Sequence, residues 1–278
     1  MGVKTRLRIF RHYMSNSDAR RRVALNDFMR AMLSPDAKQI AMRYIEKHNE
    51  DAKYVYYKIK GHPSIFSRPH ELGENAFCQV VSETLYDKNW YYYQIKETMV
   101  EDGDVVVDCG AAEGLFSFTV LQKARHVYAI EPLPLFVNQM KAMFSGDKKV
   151  TILGLAMSDK EGSIYLKENG LLSEVHDEKL SGDIEVPVST IDKLFYEKGI
   201  NINYLKADLE GHESRMIKGA LKTIQKYRPK LAITTYHDNQ DYRELVDIIK
   251  SAEPSYKFKV KGIEEITGKP MMLHMWRS

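Results

Sequence analysis

One short stretch constrains this chain more than any other: Val105-Val106-Val107-Asp108-Cys109-Gly110-Ala111-Ala112-Glu113-Gly114-Leu115-Phe116. Three β-branched residues in a row predict a strand buried on both faces, as in a parallel sheet. The strand closes on a carboxylate. Small residues from Gly110 to Gly114 then make a tight turn, and a helix follows to about Lys123. A strand, a glycine turn and a helix N-terminus gather backbone N–H groups at one point, which is the make-up of a nucleotide-cofactor site.

Beyond this stretch the pattern repeats. Strands are predicted at Val127–Ile130, Val150–Leu153, Asn203–Ala207 and Lys230–Thr235, with helices between them. Tyr256–Val260 and Met271–Met275 read as a closing antiparallel pair. Such alternation predicts an α/β fold with a mostly parallel sheet covered on both faces. Residues 168–184 are polar and read as a surface excursion. Residues 1–100 differ in texture and form a mainly helical appendage, an acceptor-side cap to a core over 101–278. Ser17 is placed to cap a helix over 18–32, and Ser34-Pro35 to start a second reaching about His48. Tyr54–Ile59 reads as a strand. The aromatic run Trp90-Tyr91-Tyr92-Tyr93 is expected in a helix over 86–99, packed between appendage and core, with Tyr93 reaching the cofactor.

Composition narrows the function classes. A net charge of +3 over 278 residues is too small to demand a nucleic-acid partner. Two cysteines, Cys78 and Cys109, leave no disulfide framework, which fits a reduced, cytoplasmic protein. No stretch approaches the ~20 apolar residues of a membrane span, so no membrane partner is expected.

The turn is Gly110-x-x-x-Gly114, not G-x-G-x-x-G, and Asp108 stands two residues before its first glycine. A carboxylate beside a pyrophosphate would repel it. The ammonium and sulfonium of S-adenosylmethionine suit it instead. Ala111, Ala112, Glu113, Phe116 and Ser117 complete this side of the site. Glu131 lies 21 positions after Gly110, directly after the second strand, where an acid accepts ribose hydroxyls; Pro132 stiffens its loop. Ala156, Met157 and Ser158 follow the third strand, either flanking the adenine or serving as core and turn. The densest polar cluster is Asp208-Leu209-Glu210-Gly211-His212-Glu213, after the fourth strand. Asp208 and Glu210 alternate along extended chain, so both can face the cleft. His237 ends the fifth strand, beside Tyr236 and Asp238. Asp208, Glu210, His212 and His237 are the candidate catalytic groups, with Asp208 and Glu210 ranked as donor-contacting and a histidine as base. No third ligand accompanies Asp208 and Glu210, so no metal is expected.

Four segments carry a resemblance: Val107–Gly114, Glu131-Pro132, Val188-Ser189-Thr190-Ile191-Asp192, and Lys206–Glu213 with Arg228-Pro229-Lys230-Leu231 after it. In order and spacing, from about residue 75 to 275, the chain resembles the FkbM-type methyltransferases. The resemblance implies a Rossmann-like, class I methyltransferase fold with a seven-stranded sheet, S-adenosylmethionine as cofactor, and O-methylation of sugars or natural products. Ala112-Glu113 and Thr235 depart from the family's common pattern, and Thr235 leaves the acceptor chemistry open. An N-methyltransferase acting on a peptide or protein side chain is the alternative. A third reading, RNA binding, rests on eight basic residues against Asp18 and Asp27 in the first thirty; a solvated face, or a homodimer through these N-terminal helices, accounts for them as well.

Overall fold

The computed structural model describes residues 2–167, 174–176, 183–237 and 240–277. Four short helices open the chain: α1 (Val3–Ser15), α2 (Ser17–Arg22), α3 (Leu25–Leu33) and α4 (Ala37–Ala41). The helix expected over 18–32 is two helices. Asn16 rather than Ser17 caps the first, its Oδ1 accepting the N–H of Asp18 at 2.9 Å. The chain then becomes extended at Val23, which buries that side chain against Ile9, Tyr13 and Phe28. Asp36 caps α4 through the N–H of Gln39.

Where the second helix was expected to continue, the chain turns into β1 (Ile45–Glu50). It pairs antiparallel with β2 (Tyr54–Ile59), which pairs with β3 (Ile65–Pro69). The appendage therefore adds a three-stranded sheet to its helices. Alternation explains it: Val55, Tyr57 and Ile59 point inward and pack with Phe66 and Phe77. α5 (Glu74–Leu85) follows. The aromatic run is not helical; only Lys96–Thr98 forms a 3-10 turn. Trp90 is buried in the appendage cluster and Tyr93 in a core cluster, so the run straddles two hydrophobic centres that one helical face could not serve.

The core then runs β4 (Val105–Cys109), α6 (Leu115–Val120), β5 (His126–Ile130), α7 (Pro134–Met143), β6 (Val150–Leu153), β7 (Ala156–Met157), β8 (Gly162–Lys167), β9 (Glu174–His176) and β10 (Asp183–Ser189). After a π-helical turn at Asp192–Tyr196 come β11 (Tyr204–Ala207), α8 (Glu213–Lys218), α9 (Leu221–Tyr227), β12 (Lys230–Thr234), α10 (Tyr242–Ala252), β13 (Tyr256–Lys261) and β14 (Met272–Arg277). The main sheet has the order β13-β14-β12-β11-β4-β5-β6. Strands β12, β11, β4, β5 and β6 are parallel, and β14 runs against β12 and β13. A third sheet has the order β7-β10-β8-β9.

The β-branched run behaves as its sequence demands. Val105 and Val107 join the cluster of Met216, Ile217, Ile224 and Ile249, while Val106 joins that of Phe116 and Val120 on the opposite face. Both faces are thus covered by helices, the Rossmann-like arrangement. From β4 the chain proceeds outward to β5 and β6, then returns on the other side through β11. A crevice therefore opens beyond the carboxyl ends of β4 and β11.

Candidate active site

The turn after β4 is built by its backbone. Gly110, Ala112 and Gly114 all have positive φ, at +73°, +46° and +79°. The N–H groups of Gly110 and Ala111 donate to the Ile130 carbonyl at 3.0 and 3.1 Å, fastening the turn to β5. A Cβ on Gly110 would lie 1.9 Å from the Asp208 carbonyl oxygen. Only glycine lets the β4 turn and the β11 loop touch.

Asp108 does not face the crevice. It is fully buried; Ser117 donates to its Oδ2 at 2.7 Å and Lys206 Nζ to its Oδ1 at 2.9 Å. Lys206 is its register partner on β11 and also donates to the Gly110 carbonyl at 2.8 Å. Burial opposes the charge on Lys206, but Asp108 and Asp208 outweigh it and raise its pKa. The positive group that the sequence reading set against Asp108 is thus supplied by the protein itself. Asp108 holds the turn.

Glu131 lies at the crevice edge of β5. Its Oε2 accepts the Ala112 N–H at 2.9 Å and its Oε1 the Leu133 N–H at 3.0 Å, a bond that Pro132 positions from between them. Burial pushes its carboxyl up to about 7, against the pull of these two amides. Each oxygen keeps a lone pair for a hydroxyl donor. Glu113 is buried in the turn, and burial likewise raises it to about 7. Phe116 packs edge-on to Tyr93 at 5.5 Å between ring centroids. Ala156 and Met157 form β7, which pairs with β10; Met157 joins the core cluster that also holds Cys109 and Ile130, and the Ser158 N–H donates to the Ser189 carbonyl.

After β11 and β12 the acidic groups converge on one imidazole. His237 Nε2 lies 3.7 Å from Asp208 Oδ1 and 3.8 Å from Glu213 Oε1, and its Nδ1 lies 3.6 Å from Glu210 Oε2. Nε2 is buried and has no hydrogen-bond partner. Burial would lower the histidine pKa; the three carboxylates reverse that and raise it. Glu210 has φ +51° and Gly211 φ +100°, and Gly211 rides close over the His237 Cβ, at 3.6 Å from an added Cβ. Glu213 is committed structurally: Leu209 and Gly211 donate their N–H groups to it at 2.7 and 3.1 Å, and the Thr234 hydroxyl lies 2.9 Å away. His212 stands one residue before α8. Asp238 lies outside the described residues.

Two further side chains complete the cluster: Tyr93, expected at the cofactor, and Lys206, to which the sequence assigned no role. Tyr93 donates its hydroxyl to Asp208 Oδ2 at 2.7 Å, so it reaches the acid cluster. Lys206 passes beneath the same ring, its Nζ 4.8 Å from the centroid. A lysine inside the apolar run Tyr204-Leu205-Lys206-Ala207 was the available signal, since a buried ammonium requires a buried anion.

Residues 108–260 match the Methyltransferase FkbM domain, more than half of the chain. The chain belongs to the FkbM methyltransferase family. Among solved structures it is similar to the methyltransferase FkbM of Methylobacillus flagellatus KT, at 22% identity over 70% of this chain and 47% of that one, with a TM-score of 0.51. The chain thus spans about half the length of that protein. It is also similar to Trm5b of Pyrococcus abyssi (12% identity, 83% and 57% of the two chains, TM-score 0.42) and to Aeropyrum pernix fibrillarin with bound S-adenosyl-L-methionine (9%, 83% and 97%, 0.42). No curated protein matches the sequence. S-adenosylmethionine is the cofactor that goes with this FkbM domain. The turn fits it: backbone in left-handed geometry, no side chain on Gly110 or Gly114, and a buried carboxyl in Glu131 with lone pairs to spare.

Proposed function

We propose that the protein is an S-adenosylmethionine-dependent methyltransferase that methylates a hydroxyl of a sugar or natural-product small molecule. S-adenosylmethionine brings an already activated methyl group, so the chain's work is positioning and proton removal. Glu131 would accept hydrogen bonds from the ribose hydroxyls, and the Gly110–Gly114 backbone would give close approach. His237 Nε2 accepts the proton of the acceptor hydroxyl as oxygen attacks in line and the methyl–sulfur bond breaks. Asp208, Glu210 and Glu213 hold the imidazolium that results. The observation that carries this reading is the buried, unbonded Nε2 of His237 among three carboxylates at the ends of β11 and β12. Residues 1–100 contribute the acceptor side through Tyr91, edge-on to Tyr236 at 5.2 Å, and through Tyr93. Two buried free thiols, Cys78 and Cys109, support a reducing, cytoplasmic setting.

Radiolabelled methyl transfer across a panel of hydroxylated sugars and amine-bearing peptides tests the substrate class. Label on hydroxyls is expected; label confined to amines would favour the peptide N-methylation reading. His237→Asn is expected to lower kcat by about 10²–10⁴-fold, with S-adenosylhomocysteine affinity unchanged.

A second reading rests on the same atoms. The sequence showed no third metal ligand, but the fold supplies one: a donor atom each from Asp208, Glu210 and His237 lies within 4.8 Å of the others. A divalent cation there would activate the hydroxyl directly. Loss of turnover in EDTA, restored by Mg²⁺, would select it over the base.

A further inference from the structure

No helix among the described residues is long and apolar enough to cross a membrane. Lying on one is a different matter. Most of the large apolar side chains left exposed belong to two helices of the appendage. On α1 they are Val3, Leu7, Phe10 and Met14; on α3 they are Leu25, Met29 and Leu33, with exposures of 47–75%. Their spacings of three and four residues put each set on one stripe of its helix. The inward stripes are separate and already used: Ile9 and Tyr13 on α1, Phe28 and Ala31 on α3. The two helices touch, with Phe10 6.2 Å from Phe28 between ring centroids and the Arg6 guanidinium bonded to the Ser34 carbonyl at 2.8 Å. The outward stripes therefore belong to two helices in contact.

Charge selects the occupant. Lys4, Arg8 and Arg11 flank the stripe on α1, Arg30 flanks that on α3, and Arg20 and Arg21 follow on α2; all are exposed. Over residues 3–33 eight lysines and arginines face two acids, Asp18 and Asp27. A second copy would set this positive field against itself. An apolar stripe of Leu, Phe and Met bordered by Lys and Arg has the make-up of a helix that lies in a lipid headgroup layer. We propose that α1 and α3 dock the protein on an anionic membrane surface, apolar side chains in the acyl boundary and the flanking cations among the headgroups. The docking does not depend on the methyl-transfer reading. It does orient it: beneath these helices a cavity of about 410 Å³ runs between Ile9 and Ala31 on one side and Trp90, Tyr91 and Ile263 on the other. Tyr91 lies against Tyr236, whose ring is 4.1 Å from that of His237.

The test is sedimentation of the full chain with vesicles of phosphatidylcholine alone and with about one third phosphatidylserine. Binding to the anionic vesicles is expected, with little to the neutral ones, and a steep fall with added salt. The variant Leu7→Glu/Phe10→Glu/Leu33→Glu should lose at least about tenfold in partitioning. Its circular dichroism melt and S-adenosylhomocysteine affinity should stay unchanged. Lys4→Gln/Arg8→Gln/Arg11→Gln/Arg30→Gln should remove the salt dependence. Folded protein that ignores anionic vesicles overturns the proposal. So does sedimentation as a dimer that the Leu7→Glu/Phe10→Glu/Leu33→Glu variant splits, with vesicle binding unmoved.

Discussion

Asp108 and Asp208 end neighbouring parallel strands, yet they do opposite things. Asp108 sits in register with Lys206 and has both oxygens bonded inside the protein. Asp208 lies two residues beyond Lys206, past the end of the ladder. One oxygen takes the Tyr93 hydroxyl, and the other takes the Thr234 hydroxyl at 3.3 Å and faces His237 at 3.7 Å. Burial pushes Asp208 up, but His237, Lys206 and Tyr93 together hold it below the usual carboxylate range. A strand-end carboxylate is thus structural or chemical according to whether its neighbour strand offers a cation in register.

The comparison is easiest to break at Lys206. Lys206→Met leaves Asp108 charged, buried and unpaired. The expected cost is about 3–5 kcal/mol, a fall in Tm on the order of 10 °C, read by calorimetry. Asp108→Asn with Lys206→Met should recover much of that loss, because the pair is then removed together. A double variant no more stable than Lys206→Met would show that Lys206 matters for some other contact.

Asp208→Asn should leave the melt nearly unmoved and act on turnover instead. Without its charge the His237 imidazolium loses one of three anions. A fall in kcat of about 10–10²-fold is expected, with S-adenosylhomocysteine affinity preserved. If Asp208→Asn weakens cofactor binding more than Asp108→Asn does, the two acids have been assigned the wrong way round.

How much of this was readable beforehand divides along the same line. Val105–Val107, the Gly110–Gly114 turn and the strand–helix alternation after it announced the sheet, because a doubly buried strand and a left-handed turn have few sequence solutions. The appendage was harder. Ile45–Glu50 carries Glu46, Lys47 and His48, and only its pairing with Tyr54–Ile59 makes it a strand. The run Trp90–Tyr93 looked helical locally, but two separate cores claim its ends. In the site, the carboxylates and His237 were visible as residues at strand ends. Their convergence was not, since it depends on β11 and β12 being adjacent and on the positive φ of Glu210. Lys206 was hidden for the same reason: its partner is 98 residues away and only the register brings it near.

Glu131 sharpens the contrast through pH. Its carboxyl is pushed up to about 7 by burial, and hydroxyl donors of a bound ribose favour the ionised form. Cofactor binding should therefore tighten as pH rises, by about tenfold between pH 6 and 8 for one linked proton. The sign for stability is opposite. A carboxyl raised by folding stabilises the free protein below its unfolded pKa and loses that contribution as pH rises through about 7. Titration calorimetry with S-adenosylhomocysteine reads the first trend. Glu131→Gln should flatten it, and an unchanged slope would assign the proton to another group, Glu113 being next in position.

The smallest effect is expected at Tyr93. Tyr93→Phe keeps the ring over Lys206 and against Phe116 but removes the hydroxyl from Asp208. The core stays filled, so the melt should shift little. Asp208 loses one of the donors that hold it ionised, at about 1 kcal/mol for a hydrogen bond to a carboxylate in this setting. That corresponds to roughly fivefold in kcat. The rising limb of the kcat–pH profile, set by loss of the His237 proton, should move toward higher pH, because an Asp208 freed of the Tyr93 donor holds the imidazolium more strongly. An equal loss at every pH would place Tyr93 among the packing residues, and Asp208 would then be held by His237, Lys206 and Thr234.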